Sequence, residues 1–168
     1  MKKILLCSLI GCVISLAGCS NLPLKTSIKE NHFRIENLRK EHGNTIELAY
    51  LMCYRKKPVK WTEPKQYIAG KHELWVHAVS GIHTDHYKSL TTSVFPKQRR
   101  DAYVKFNVDL APSVNYMLNA NVEDDKVSVW IEDAKSGERV SSVQVAKLDQ
   151  PHIFEETRVR DMCKSSTI

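Results

Sequence analysis

The 168-residue sequence predicts an all-β protein, a single antiparallel β-sandwich of about 7–9 short strands. Three observations carry that reading. Apolar residues recur with period 2 through much of the second half. Turn-forming clusters punctuate those runs at short intervals. No apolar pattern with the period and length of a well-formed helix intervenes between them.

The first element is a leader. Lys2 and Lys3 precede an apolar run from Ile4 to Leu16, and the small residues Ala17 and Gly18 stand before Cys19. A positive start, a short apolar stretch and a small-residue cut site are the anatomy of a secretory signal peptide. The run is shorter than the roughly 20 apolar residues a membrane-spanning helix needs. Leu16-Ala17-Gly18-Cys19 resembles the lipobox of bacterial lipoproteins. The resemblance implies a diacylglycerol on the Cys19 thiol, cleavage just before it, and acylation of the new amine. A covalent lipid on Cys19 is then the only cofactor expected. Each buried methylene of an acyl chain contributes about 0.8 kcal/mol to membrane binding, so several chains on one residue hold firmly. In Gram-negative lipoproteins an aspartate after the cysteine marks retention at the inner membrane. Ser20 stands there instead, which implies the outer membrane, on its periplasmic side. Residues 1–18 thus read as the signal peptide, 19–30 as a polar, lipidated tether broken by Pro23, and 31–168 as the β-sandwich domain.

Within the domain, "HFRIENL" alternates through Phe33 and Ile35 as a strand, while Ile28, Ile35 and Leu38 offer near-helical spacing as the alternative. "TIELAYLMCY" is apolar enough for a buried central strand, and "YRKKPVKW" makes a polar turn before a second short one. "HELWVHAVS" is a strand opened by Ala69-Gly70, and the β-branched run Tyr87–Phe95 suggests another. "YVKFNVDL" places Val104, Phe106, Val108 and Leu110 on one face. "NYMLNANV" does the same with Tyr116, Leu118, Ala120 and Val122, and "KVSVWIED" with Val127, Val129 and Ile131. "RVSSVQVAKL" continues with Val143 and Val145. Short links at Ala111-Pro112-Ser113, Glu123-Asp124-Asp125 and Lys135–Glu138 join these four runs into an expected antiparallel meander.

Removal of residues 1–18 leaves 150 residues with 23 basic and 19 acidic side chains, enough length for one real core and a modest net charge of +4. The basic balance suits anionic envelope polymers or lipid headgroups. No basic, aromatic-interleaved module is present, so nucleic acid is not an expected partner. Cys7 and Cys12 leave with the leader, so Cys53 and Cys163 remain beside the lipidated Cys19. Two thiols in an oxidising compartment form a natural pair; two buried free cysteines are the alternative. A bridge would tie the tail "TRVRDMCKSSTI", too polar to be held by burial, to a central strand, and requires α-carbons within about 7 Å.

"YIAGKHELWV", "FNVDLAPSVNYMLNANV" and "VSVWIEDAKSGERVSS" are together similar to a loose group of uncharacterised Gram-negative envelope lipoproteins. Gly70, His72 and Leu74 match a Pro-Gly-x-His-x-Leu strand opening, with Ala69 in place of proline. Tyr116, Leu118 and Ala120 match a second strand, with Ser113 where glycine is usual. Trp130, Ile131, Asp133 and Gly137 match a hairpin, with Ser136 for threonine. The likeness spans Thr45 to Val145 and implies a small, transthyretin-like β-sandwich without an assigned activity.

One constellation carries possible chemistry. "HAVSGIHTDH" holds His77, His83, Asp85 and His86, donors suited to zinc or copper, at a spacing that matches no established motif. His72 is expected to bond the backbone instead. The basic stretches "FPKQRRD" and Arg55-Lys56-Lys57 with Lys60 suit lipopolysaccharide phosphates or peptidoglycan carboxylates, and equally serve as solvated turns that block edge pairing. The sequence contains no Gly-x-Ser-x-Gly elbow, His-Glu-x-x-His or Gly-rich phosphate loop. The expected function is therefore non-enzymatic: a lipid-anchored outer-membrane protein that binds or scaffolds another envelope protein or polymer. The alternative is a metal-binding envelope lipoprotein using the His77–His86 region.

Overall fold

Alternating side chains give a strand one face to bury and one to show, and most of this chain is written that way. The computed structural model describes residues 27–61, 65–82, 97–151 and 155–168. Cys19 with its leader, and the expected strand Tyr87–Phe95, lie outside the described residues. The elements are β1 (His32–Glu36), β2 (Leu38–His42), β3 (Thr45–Leu51), β4 (Cys53–Tyr54), β5 (Lys57–Pro58), β6 (Lys65–Ile68), β7 (Gly70–Ile82), β8 (Lys97–Leu110), β9 (Asn115–Glu123), β10 (Lys126–Asp133), β11 (Gln144–Lys147) and α1 (Glu155–Lys164). They form a five-stranded sheet in the order β11-β10-β9-β1-β6, a four-stranded sheet in the order β2-β3-β7-β8, and a β4-β5 ribbon. The all-β sandwich expected from the sequence is the fold.

The core lies between the two sheets. Phe33 and Ile35 of β1 meet Leu118 of β9 and Val129 and Ile131 of β10; across from them stand Leu74 and Val76 of β7 and Val104 and Phe106 of β8. Fully burying each such side chain is worth about 1.5–3 kcal/mol. The alternation read in β8, β9 and β10 holds: Val104, Phe106, Leu110, Tyr116, Leu118, Ala120, Val127, Val129 and Ile131 are all buried.

Beyond the strand count, eleven among the described residues against about 7–9 expected, and the parallel pairing of β1 with β9 in an otherwise antiparallel sandwich, four details differ from the sequence reading. The strand reading of "HFRIENL" is right, but the chain breaks at Asn37 and Leu38 opens β2 in the opposite sheet, so one continuous segment serves both layers. The meander covers β9, β10 and β11 alone. β8 instead pairs with β7 from Gly70↔Leu110 to Ile82↔Lys97, and the Ala111–Ser113 link crosses between sheets, with Ser113 at φ 64°. Val143 and Val145 are exposed, because β11 is an edge strand that begins at Gln144 and turns Ala146, not Val145, toward the core. The tail forms α1, a helix the charge pattern hid. Val159, Met162 and Cys163 follow helical spacing and pack beside Met52, Cys53, Trp75 and Tyr103. Glu155 and Glu156 in the first turn and Lys164 in the last complement the helix dipole.

Candidate site between the four-stranded sheet and the helix

The inner face of the four-stranded sheet belongs to the core, so the alternate residues face outward. Register places Tyr50 of β3 opposite His77 of β7, and His77 opposite Tyr103 of β8. This makes a transverse row of three rings, with centroids 5.0 Å apart for Tyr50 and His77 and 4.5 Å for His77 and Tyr103. The Tyr50 hydroxyl lies 2.5 Å from His77 Nδ1. Asp101, in the adjacent row of β8, sets Oδ1 3.3 Å from His77 Nε2 and Oδ2 3.3 Å from Arg99 Nε. The Asp101 side chain is 1% exposed. These contacts are within ion-pair reach, while among the described residues His77 Nε2 and both Asp101 oxygens have no hydrogen bond. The Arg99 guanidinium sets a positive charge beside the carboxylate.

The helix closes the site. Tyr103 donates to Glu155 Oε1 at 2.6 Å, Arg99 approaches Glu155 Oε2 at 4.0 Å, and the Arg158 guanidinium lies 5.3 Å from the Tyr103 ring centroid. Cys53 of β4 and Cys163 of α1 form a disulfide with α-carbons 5.4 Å apart, the pairing expected from the sequence. Beyond the helix, Trp75 Nε1 donates to Ser165 Oγ at 3.0 Å and the Thr167 amide donates to the Glu73 carbonyl at 3.1 Å. Between sheet and helix remains an open cavity of about 600 Å³, within the size range of small-ligand sites. Met52, Pro58, Val59 and Val159 supply its apolar wall; Lys60, Arg99, Arg160, Glu155 and Glu156 supply charge of both signs.

Burial, reinforced by the Asp101 carboxylate, holds the Tyr50 phenol well above its ordinary value. Burial and the bond to Glu155 do the same for Tyr103. Both phenols are thus neutral at physiological pH, and Tyr50 is the reverse of an activated nucleophile even though it lies beside a histidine and an aspartate.

Of the expected metal ligands, only His77 lies in the described residues; His83, Asp85 and His86 fall outside them. Both ring nitrogens of His77 face groups of the sheet itself. Among the described residues no set of three or more His, Cys, Asp or Glu side chains is arranged to hold a metal. His72 bonds the Ile68 carbonyl through Nε2 at 2.7 Å and Thr167 Oγ1 through Nδ1 at 2.9 Å, a structural role in line with expectation.

Sequence reasoning overlooked Tyr50, Asp101, Tyr103 and Glu155. The signal was present in "RRDAYV": Arg99, Asp101 and Tyr103 alternate against the inward Ala102 and Val104. Arg99, read as part of a solvated basic loop, instead turns onto Asp101.

The other basic stretch keeps its charges outward. β4 and β5 pair through Cys53↔Pro58 and Tyr54↔Lys57, and the two turn residues Arg55 and Lys56 have φ of 51° and 59°. Asn-Gly is the usual solution for such a turn, because left-handed backbone costs a residue with a side chain roughly 1–2 kcal/mol. Arg55, Lys56, Lys57 and Lys60 are all exposed. The chain matches no family model, no curated protein and no solved structure.

Proposed function

We propose that this chain is an outer-membrane lipoprotein, anchored through acylated Cys19, whose β-sandwich binds or scaffolds another envelope component without catalysing a reaction. The observation that carries the reading is the Cys53–Cys163 bridge. Protein disulfides persist in oxidising compartments, which agrees with the export leader and the lipobox read in the sequence. Two further features support a binding role. The cavity under α1 has an apolar wall and a rim of mixed charge, the composition of a recognition site. Its central Tyr50-His77-Asp101 line lacks an activated nucleophile, since burial and Asp101 keep the phenol protonated.

Crosslinking in intact envelopes tests this. The wild-type protein is expected to recover a discrete envelope component, and Val159→Trp, which fills the cavity, is expected to lose it. Recovery of no component, or equal recovery by the filled variant, contradicts a binding role for this site. Metal analysis of untagged protein separates the alternative. Zinc or copper retained through purification, and lost on substitution of His83 and His86, assigns the His77, His83, Asp85 and His86 region to metal binding instead.

A further inference from the structure

The described chain enters the domain at Ser27, and this entry is fastened to β6. Gln66 Nε2 donates to the Ser27 carbonyl at 3.0 Å and the Lys29 amide donates to Gln66 Oε1 at 2.7 Å. The neighbouring Lys65 places its ammonium 4.1 Å from the centroid of the Tyr54 ring, and Arg55 sets its guanidinium 5.2 Å from the same centroid. Tyr54 also meets Tyr67 of β6, centroids 6.3 Å apart. The tether's entry, β6 and the β4-β5 ribbon therefore share one corner of the molecule. Lys60 and Arg160 line the same cavity beside the ribbon, and the Cys53–Cys163 bridge pins the helix bearing Arg160 to the ribbon.

Six cations, Arg55, Lys56, Lys57, Lys60, Lys65 and Arg160, thus gather where the tether arrives, and none forms an ion pair among the described residues. Glu156 lines the cavity beside them without pairing to Lys60 or Arg160. The segment between Cys19 and Ser27 is short. Fully extended, its residues reach about 25 Å, less than the roughly 38 Å width of a globule of this length. A lipid on Cys19 therefore holds the corner where the tether enters within about 25 Å of the bilayer and excludes its lying on the far side of the domain.

We propose that this corner is a docking surface for anionic phospholipid headgroups of the membrane that holds Cys19. The inference rests on the lipid-anchor reading above and adds to it an orientation and a headgroup preference. Each Lys or Arg near an anionic surface raises partitioning about five-fold, and the effect fades as salt shortens the range of the field. The left-handed Arg55 and Lys56 fit this role: the tight turn drives both side chains outward at the tip, where glycine would present nothing to a headgroup.

Lysine acetylation followed by mass spectrometry reads the contact in protein purified from envelopes and placed in excess vesicles. One set of vesicles is phosphatidylcholine alone and the other includes phosphatidylglycerol. Lys126 and Lys147 serve as internal controls, since they lie in β10 and β11, on the opposite side of the five-stranded sheet from β6. The expected result is several-fold slower acetylation of Lys56, Lys57, Lys60 and Lys65 in phosphatidylglycerol vesicles, reversed by high salt, with the controls unchanged. Equal acetylation of the patch in both vesicles, or protection of the controls in its place, overturns the proposal. Intact mass reads the anchor separately: protein without acyl chains overturns the lipoprotein reading, while the acetylation pattern still decides the headgroup preference.

Discussion

The most constrained residue on the outer face is Asp101, a carboxylate buried between His77 and Arg99. Removing the carboxylate takes one partner from buried His77 and from the partly exposed Arg99, a cost below the roughly 3–5 kcal/mol of a fully buried pair. Asp101→Ala is expected to lower stability by about 1–2 kcal/mol in urea unfolding at neutral pH; a loss within about 0.5 kcal/mol, the range of ordinary surface substitutions, shows that the cluster contributes little. A second residue-scale expectation concerns alkali. Burial, with a smaller contribution from Tyr54, pushes Tyr67 up to about 12, and Tyr50 and Tyr103 are raised further. Unfolded tyrosines lose their protons near pH 10, so above that value the native chain binds more protons than the unfolded one and stability falls as pH rises. The contribution of Tyr67 to that fall is complete above about pH 12. Tyr67→Phe is expected to flatten the decline between about pH 10 and about pH 12, where one such group changes stability by up to 1.4 kcal/mol per pH unit. Unfolding midpoints that drop as steeply in the variant as in the wild type count against the assignment.

Among the elements, α1 depends most on a single covalent link. Only Val159, Met162 and Cys163 give it an apolar side, and a ten-residue helix is marginal alone. The bridge spans 110 residues of chain, and closing a loop of that size in the unfolded state corresponds to about 4–5 kcal/mol in the chain-entropy model. Cys53→Ser with Cys163→Ser is expected to speed amide exchange throughout α1 well before it affects β7. Exchange in α1 as slow as in the bridged protein shows that packing alone holds it. The same element shows where sequence reading stops. β8, β9 and β10 were legible because their alternation is strict and each has one face in the core. α1 was not, because Arg158, Arg160 and Asp161 interrupt a three-residue apolar signal that gains meaning only when Met52 and Trp75 cover it. β2 was hidden for a topological reason: the switch of sheets at Asn37 leaves no mark in a local pattern. The disulfide was legible from cysteine number and the oxidising compartment that the leader implies, whereas Tyr50 and Tyr103 reach one site through register across three strands.

At the scale of the whole molecule, the two sheets bury one face of each strand in common, and the four-stranded sheet then carries a second interior beneath α1, apolar around Met52, Cys53 and Cys163 and polar along Tyr50, His77 and Asp101. That interior, the bridge which closes it and the cationic corner beside the tether lie on connected elements: β4 and β5 carry one end of the disulfide and the basic turn, and α1 carries the other end and the cavity wall. Under the proposed lipid anchor, this arrangement sets the cationic corner toward the membrane and leaves the outer sheet face to the proposed partner. The most direct test is the intact mass of the protein purified from envelopes and treated with a thiol reagent in denaturant without reductant. The expected product is a chain that begins at Cys19, carries acyl chains there, and takes up no reagent at Cys53 or Cys163. A chain that keeps residues 1–18, or an unacylated Cys19 with two reactive thiols, contradicts the proposed function.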